Sequence, residues 1–435
     1  MINSKTSEYY HTSYGSSSFF LSEYLANKTY QDRKLNYIII IFLLAVLIAS
    51  CLLSRPIFAN TETEPIKTVF VQDKIQIQNE FETNIKNKYS NSYITFPAYG
   101  IAHIKKVKYI NKKPIKINIV EINTKINKNL EIKPQIASNK LNSKKTVRSI
   151  AKQQRAIVAI NGGYFKPQTG VPLGALMIDR NVLTGDIFNR VGIAIFDNGK
   201  DLNFKMDKIN FDIKAYTKNS VVKIDNINQP RMLSTYTLLY TPVWGQISPA
   251  APKNGYNMLI VGNKIARISA NPIEFLENSV VISAPQEVIS RLAKNNNEIY
   301  IDIKLQENLK EAKHILAAGP YLVKDSSIYV DTIEQKLQAI SGKNPRSAIG
   351  FNEESLIVVT IDGREKESVG MTLNELAKLM KNIGCTYAMN FDGGSSSALY
   401  INGSIANSAY NKEGVAISNA LVVSEKVDDV QLSSL

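Results

Sequence analysis

The chain has 435 residues, of which 44% are hydrophobic and 21% charged, a composition typical of a globular protein. Its formal net charge is +14, but no basic stripe interleaved with aromatic residues and no nucleic-acid motif accompanies this charge, so nucleic acid is set aside as a partner. Lysine dominates in segments crowded with Asn and Ile, which favours a solvated surface over a selected patch for polyanions. The histidines and cysteines are dispersed, and none has the spacing of a metal site.

The N-terminal part of the chain predicts a membrane segment. Residues 1–34 are rich in Ser and Tyr, show no periodic pattern and are predicted to be a disordered tail. Residues 35–54 carry no charge and are long enough for a helix to cross a bilayer. Basic residues cluster before this segment, so the tail is predicted to be cytoplasmic and the remaining chain extracytoplasmic.

Three fates fit the apolar segment, and each exports the rest of the chain. Retention as a signal anchor is favoured, because the leader is long for a signal peptide. Cleavage after Ala59, which follows a small-residue pattern, would release a secreted protein. The short run from Ile48 to Cys51 also resembles a lipobox, in which Cys51 would carry a lipid.

The rest of the chain predicts one α+β domain. Residues 55–92 read as a polar linker with room for one helix, residues 93–424 as the domain, and residues 425–435 as a tail. Short apolar or alternating runs predict strands at 101–110, 115–123, 156–160, 192–196, 258–261, 280–282, 299–303, 356–361 and 386–391. Helices are predicted at 146–153 and 372–383, the second opened by a capping box of Thr372 and Glu375. This order indicates a large mixed, mostly antiparallel sheet with few helices.

Two strand-to-loop junctions share one pattern, in which an apolar strand ends in a polar side chain and two glycines follow. The first runs from Asn161 to Phe165 and the second from Asn390 to Ser397. Paired glycines let backbone N–H groups approach a ligand, and serine hydroxyls add donors. A tight turn explains either junction alone equally well, but the two together favour a shared site.

Two further segments carry candidate polar groups. Arg346 stands just before an apolar strand, where a guanidinium group is suited to hold a phosphate through two hydrogen bonds. A surface arginine in a loop is the simpler interpretation of that segment alone. Asp362 ends another strand ahead of Gly363. Asp-Gly is also a common turn, so on this segment alone a catalytic role for Asp362 is no better supported than a turn.

Taken together and in order, seven motifs resemble those of the phosphodiester glycosidase family. They are Asn161–Phe165, Gly319–Pro320, Arg346–Gly350, Asp362–Arg364, Gly370–Ala377, Asn390–Ser397 and Ser418–Ala420. The family includes the lysosomal "uncovering" enzyme, which removes N-acetylglucosamine from a phosphodiester on mannose. One departure concerns a Glu-Arg pair that the family usually carries before its Asn-Ala, since Glu413 is followed here by Gly414.

The resemblance implies hydrolysis of a sugar–phosphodiester bond in an envelope or extracellular glycan. Asp392 is expected to be the principal carboxylate, with Asp362 as its partner or as a positioning group. The expected substrate-binding residues are Asn161, Gly162, Gly163, Tyr164, Arg346, Asn390, Gly393, Gly394, Ser395, Ser396, Glu413 and Asn419. No cofactor is expected with certainty, although a calcium or magnesium ion on oxygens of the two aspartates is compatible with the sequence.

Two rival functions stay open. A serine hydrolase would use one of the serines at 395–397 with His103 or His314, but the closing glycine of a nucleophile elbow is missing. A non-hydrolytic glycan-binding or polysaccharide-assembly protein on the same fold would also accommodate the absent arginine after Glu413.

Overall fold

The computed structural model describes residues 64–294 and 298–426. The predicted tail 1–34 and membrane segment 35–54 lie outside these ranges, as does most of the C-terminal tail. Within the described residues, no helix is both long enough and apolar enough to cross a membrane. The residues from Asp73 onward form one compact unit.

Four α-helices occur in the described part of the chain. They are α1 (Glu64–Lys88), α2 (Val147–Gln153), α3 (Gln286–Ala293) and α4 (Leu373–Asn382). Short 3₁₀ turns cover Glu307–Leu309, Gln338–Ile340 and Gly394–Ser396.

Strands make up most of the regular structure. In chain order they are β1 (Tyr93–Ala98), β2 (Ile101–Ile110), β3 (Lys113–Asn123), β4 (Leu130–Ile136), β5 (Val158–Asn161), β6 (Leu176–Ile178), β7 (Asn181–Thr184), β8 (Val191–Asp197), β9 (Leu202–Lys208), β10 (Phe211–Thr217), β11 (Ser220–Ile224), β12 (Asn226–Ile227), β13 (Leu238–Tyr240), β14 (Gly255–Val261), β15 (Lys264–Ser269), β16 (Ser279–Pro285), β17 (Tyr300–Leu305), β18 (His314–Ala317), β19 (Tyr321–Lys324), β20 (Ser327–Ile328), β21 (Arg346–Phe351), β22 (Ser355–Ile361), β23 (Tyr387–Asn390), β24 (Leu399–Ile401), β25 (Ser404–Ile405) and β26 (Asn419–Glu425).

These strands form five sheets. The largest has eight strands in the order β1-β2-β3-β22-β21-β23-β19-β20. Three five-stranded sheets have the orders β25-β24-β5-β26-β4, β7-β6-β18-β8-β9 and β12-β13-β16-β14-β15, and a three-stranded sheet has the order β11-β10-β17. Only the short pair of β12 and β13 is parallel among the described pairings. The mostly antiparallel α+β class with few helices is therefore confirmed, and the large sheet is accompanied by four smaller ones, because twisted sheets rarely grow beyond about ten strands without splitting.

The eight-stranded sheet is buried on both faces. Alternate residues of its strands point to opposite sides, so Ile349 and Val358 join one core cluster while Ala348 and Val359 join another. The first cluster includes apolar residues of the sheets that contain β5 and β8. The second includes the apolar face of α4 and the last turns of α1.

Helix α4 begins as its sequence predicts. The Thr372 hydroxyl accepts the Glu375 N–H at 3.2 Å, and the Glu375 carboxylate accepts the Thr372 N–H at 2.8 Å. Leu373, Leu376 and Met380 then face the sheet and are buried. Helix α4 ends shortly before β23 and packs against that strand.

Helix α1 ends in the core, although its residues fall within the stretch expected to be a linker (55–92). Phe81, Ile85 and Tyr89 are buried against the eight-stranded sheet. The Tyr89 hydroxyl donates to the buried Glu121 carboxylate at 2.8 Å. Lys88 pairs with the same carboxylate at 2.9 Å.

Candidate active site

The candidate site lies at one edge of the eight-stranded sheet. Strands β22 and β23 both pair antiparallel with β21, so they run in the same direction and end where β21 begins. Asp362 follows β22, Asp392 follows β23, and Arg346 opens β21. Neighbouring strands are about 4.8 Å apart, so the backbones that carry the two aspartates are separated by roughly 10 Å.

The two strand-to-loop junctions are in direct contact. At the end of β5, the Asn161 amide donates to the Asp392 carbonyl oxygen at 2.6 Å. Its oxygen accepts the Ser347 hydroxyl at 2.7 Å and the Ala398 N–H at 3.2 Å. The Asp392 N–H donates to the Gly162 carbonyl at 3.0 Å. Asn161 therefore joins two sheets and fixes the loop of Asp392.

Gly162 and Gly163 are required by the close approach of other chain segments. A Cβ atom on Gly162 would lie 2.1 Å from the Asn419 side-chain oxygen, and one on Gly163 would lie 2.3 Å from the Ala317 carbonyl oxygen. Asn419 accepts the Gly163 N–H at 2.8 Å through its side chain and the Gly162 N–H at 2.9 Å through its backbone. These residues shape the turn that carries Tyr164.

The partly buried Tyr164 and the buried Asn390 form a polar pair. The Tyr164 hydroxyl donates to the Gly319 carbonyl at 2.8 Å and accepts from the Asn390 amide at 3.0 Å. Burial raises the pKa of Tyr164 well above its ordinary value, so the hydroxyl stays neutral. The Asn390 side-chain oxygen is buried and has no hydrogen-bond partner among the described residues.

Asp392 is a half-buried carboxyl group at the centre of these contacts. Its Oδ1 accepts the Gly393 N–H at 2.9 Å. Burial raises the pKa of Asp392 to about 6, although hydrogen bonds from Ser396 and Gly393 and the charge of Arg190 act in the opposite direction. A group with this pKa is ionised in roughly ten molecules for each protonated one at neutral pH.

Arg190 is a site residue that the sequence analysis missed. It is 7% exposed, and its guanidinium carbon lies 4.8 Å from the centre of the Tyr164 ring. Nη1 donates to the Leu173 carbonyl at 2.8 Å, whereas Nε is buried without a partner among the described residues. Arg190 directly precedes β8, and Arg346 is the first residue of β21. The position of an arginine just before an apolar strand is therefore the sequence feature that could have identified Arg190 as a site residue.

Arg346 is not a surface arginine, because it is only 1% exposed. Its Nε donates to the Met371 carbonyl at 2.9 Å, and Nη2 donates to the Ile340 carbonyl at 2.7 Å and to the Gly342 carbonyl. Burial and the nearby charge of Arg364 lower the pKa of Arg346 to about 10, which still leaves it cationic at neutral pH.

The loop after Asp392 lies against a third arginine. Gly394 has φ +63°, and a Cβ built on it would be 3.3 Å from Arg364 Nη2. Arg364 also donates to the Asn344 side-chain oxygen at 2.8 Å. A Cβ atom built on Gly393 would likewise lie 2.9 Å from the Pro345 carbonyl oxygen. The loop is therefore packed tightly, with Ser396 buried and Ser395 exposed.

Two other predicted site residues have contacts elsewhere. Asp362 is buried, and its Oδ1 accepts the Ser408 N–H at 3.0 Å, so it holds a neighbouring loop. Burial raises the pKa of Asp362 above its ordinary value. Glu413 is exposed and pairs with Arg148 of α2.

The described residues form no nucleophile–histidine pair at the loop. His103 contacts the Asn118 oxygen at 3.1 Å, and His314 Nδ1 accepts the Asp179 N–H at 3.1 Å. Neither ring is hydrogen-bonded to a serine of the 395–397 stretch. Within the same described ranges, no group of three or more His, Cys, Asp or Glu side chains is arranged to hold a metal ion.

A model of the phosphodiester glycosidase family matches residues 253–424. The resemblance to this family is confirmed over that segment. The matched segment includes Arg346, Asp362, Asp392 and Asn419. The phosphodiester glycosidase match begins after Asn161 and Arg190, which the fold brings to the same place.

Three similar proteins extend the comparison. An SPbeta prophage-derived uncharacterized protein of Bacillus subtilis (strain 168), YomE, is 33% identical over 136 residues, which cover 31% of this chain and 20% of that protein. A hypothetical protein from Synechocystis has a TM-score of 0.69 at 21% identity, with 77% of this chain and 64% of that one covered. A protein of Burkholderia pseudomallei K96243 has a TM-score of 0.62 at 18% identity, with 72% and 74% covered. The chain thus spans a fifth of the length of the curated relative. The two solved structures share the fold of this chain.

Proposed function

We propose that the protein hydrolyses a glycosyl–phosphodiester bond, with Asp392 as the catalytic carboxylate. One observation carries the proposal. The pKa of the Asp392 carboxyl group is raised by burial to about 6, and the charges of Asp392 and the buried Arg190 each shift the pKa of the other, although the two side chains form no direct salt bridge. Buried cations of this kind are suited to an anionic ligand, and a phosphodiester brings one negative charge. The family match over residues 253–424 supports the same reaction class.

The reaction needs little acid catalysis, because a phosphate monoester is already a good leaving group from an anomeric carbon. The bond between the anomeric carbon and the phosphate oxygen breaks, and its electron pair leaves with the phosphate. Ionised Asp392 either removes a proton from the attacking water or attacks the sugar itself before water replaces it. In both routes water supplies the new hydroxyl group on the sugar.

The positive groups stabilise the departing phosphate. Arg190 is held over the ring of Tyr164, and its side chain makes one hydrogen bond with the described residues, from Nη1 to the Leu173 carbonyl, so its guanidinium group keeps donors for an oxygen anion. Arg364 approaches the other side of the Asp392 loop at Gly394. Asn161, Asn419 and the glycine pair fix this arrangement rather than supply the charge.

We further propose that the domain works outside the cytoplasm on an envelope or extracellular glycan. The support is the uncharged stretch 35–54 with its preceding basic residues, which suits either a retained membrane anchor or a leader cleaved after Ala59. Alkaline phosphatase fused after residue 92 should be active in cells. An inactive phosphatase fusion with an active cytoplasmic reporter at the same place would contradict this location.

The test of catalysis replaces Asp392 with Asn and measures release of sugar from N-acetylglucosamine 1-(methyl phosphate) and from related sugar phosphodiesters. The wild type should gain activity with a midpoint near pH 6, because the ionised carboxylate is the active form, and Asp392→Asn should lose at least about a thousandfold in kcat. Asp392→Asn should unfold at no lower temperature, since the amide removes a half-buried charge and keeps the Gly393 hydrogen bond. Full turnover in the variant would refute the assignment. Binding of these compounds without turnover by the wild type would support the glycan-binding alternative.

A further inference from the structure

The hairpin of β2 and β3 extends beyond the sheet edge that carries the candidate site. Its strands pair from Ile101 and Ile122 up to Ile110 and Lys113. On the inner side, β22 follows β3 only as far as the pair of Ile361 and Ile117. The last four residue pairs therefore extend about 14 Å past the end of β22, where the segment from Asp362 to Val369 lies beside β3 as far as Pro114.

We call residues 105–113 the basic hairpin, because lysine dominates its surface. The exposed lysines are Lys105, Lys106, Lys108, Lys112 and Lys113. None of them forms a salt bridge with a described residue, and the nearest ion pair is that of Lys116 with Glu365 at the base of the hairpin. Val107 and Tyr109 are also 52% and 68% exposed, so apolar groups stand between the charges.

The basic hairpin is continuous with the candidate site. The Asp362 N–H donates to the Lys116 carbonyl at 3.1 Å, and the Val369 N–H donates to the Pro114 carbonyl at 3.2 Å. The segment between them carries Arg364, which packs against Gly394 in the Asp392 loop. The segment from Asp362 to Val369 therefore links the base of the hairpin to the site, and its charged side chains include Arg364 and Lys366 as well as Glu365 and Glu367.

We propose that the basic hairpin binds a polyanionic polysaccharide, one of whose phosphodiester linkages lies at Asp392. This inference rests on the proposed function and specifies its substrate as a polymer instead of a small phosphodiester. The arginines at the site suffice for one phosphate, so unpaired lysines farther along the edge suit additional anionic groups spaced along a chain. Tyr109 and Val107 suit the apolar faces of sugar rings.

Position changes the interpretation of the lysine-rich composition. A solvated surface distributes its charge on all sides and needs no relation to the site. Here five exposed lysines without a described salt bridge lie on one hairpin, and three of them (Lys108, Lys112 and Lys113) lie past the end of β22, on the side where Asp362 and Asp392 follow their strands. An anionic polymer held there gains a high local concentration at the catalytic carboxylate.

The test compares two triple variants with the same change in charge. The hairpin variant has Gln in place of Lys105, Lys106 and Lys108. The matched variant has Gln in place of three exposed lysines outside the hairpin, Lys218, Lys253 and Lys264. Binding is measured for dextran sulfate, neutral dextran and phosphatidylglycerol vesicles, and KM is measured for a polysaccharide linked by sugar 1-phosphates and for N-acetylglucosamine 1-(methyl phosphate).

The hairpin variant should bind dextran sulfate on the order of tenfold more weakly, and the ratio of its polymer KM to its small-substrate KM should rise by a similar factor. The matched variant should change neither quantity by more than about twofold. Equal losses in both variants, or no loss in the hairpin variant, would overturn the proposal. Hairpin-dependent binding to the vesicles in preference to dextran sulfate would also overturn it and indicate a membrane-docking surface. Hairpin-dependent binding of the polymer without hydrolysis of any substrate would support the hairpin but overturn the proposed function.

Discussion

At the scale of single residues, the two most buried arginines near Asp392 differ in what their guanidinium groups contact. Arg346 donates to three backbone carbonyls, so much of its hydrogen-bonding capacity holds the protein together. Arg190 donates to one carbonyl and lies over the ring of Tyr164, with a buried Nε left unpaired. Arg190 is therefore the better candidate for a phosphate contact, and Arg346 for a structural role.

Replacing each arginine with Gln should separate these roles. Arg190→Gln should lower kcat/KM for a sugar phosphodiester by about a hundredfold, because a charge-assisted contact to the phosphate is lost. Arg346→Gln should lower the free energy of unfolding by roughly 2–4 kcal/mol, because buried carbonyls lose their donors. Steady-state kinetics and urea denaturation measure the two effects. Equal kcat/KM in Arg190→Gln and the wild type would contradict the role given to Arg190.

The sequence identifies polar residues at strand ends but does not tell which way their side chains face. Asn161 and Asn390 are examples. The sequence of a strand end is the same whether its amide side chain contacts a ligand or a backbone carbonyl. In the structure both amides donate to protein oxygens. Arg190 was missed because its neighbours at the site come from distant parts of the chain.

At the scale of elements, β5 and β26 meet at a contact that only glycine permits. Asn419, the first residue of β26, places its side-chain oxygen 2.1 Å from where a Cβ of Gly162 would be. The same side chain accepts the Gly163 N–H. The junction that precedes Tyr164 therefore depends on tight packing between two chain segments.

Gly162→Ala should lower the free energy of unfolding by about 1–3 kcal/mol and reduce turnover, because the added methyl group displaces Asn419 and the loop of Asp392. Gly245→Ala is the matched control, since a Cβ there would meet nothing closer than 3.5 Å. Thermal denaturation and initial rates on one sugar phosphodiester test the pair. Similar stability of the two variants would show that this contact is not tight.

Elements with a clear periodic or capping signal were predicted well, and the three-residue strands were not. Strand β2 has the predicted bounds of Ile101–Ile110, and α4 begins with the predicted capping box. Strands such as β6, β13 and β24 have three residues each, too few to show a period of two. Their pairing depends on partners far along the chain.

At the scale of the whole molecule, the class of fold follows from the sequence, whereas the division into five sheets does not. Alternating apolar runs indicate strands, but the partner of each strand depends on contacts between distant segments. The stretch 55–92 illustrates the same limit. Its polar composition suggested a linker, although Phe81, Ile85 and Tyr89 are buried against the eight-stranded sheet.

A chain that begins at Tyr93 should therefore be less stable than one that begins at Asp73. It loses three buried side chains, at about 1.5–3 kcal/mol each, so the loss in free energy of unfolding should exceed about 3 kcal/mol. Glu121 also loses Lys88 and Tyr89, which leaves a buried carboxylate unpaired. Urea denaturation of the two chains measures the difference. Equal midpoints would show that the end of α1 contributes nothing to the fold.

The most direct test of the account is a crystal structure of Asp392→Asn with an uncleaved sugar phosphodiester. The account predicts the side chain at position 392 facing the anomeric carbon and a phosphate oxygen within hydrogen-bond distance, about 3 Å, of the Arg190 guanidinium group. A phosphodiester bound elsewhere, or one whose anomeric carbon faces Asp362 instead, would contradict the assignment of Asp392 as the catalytic carboxylate.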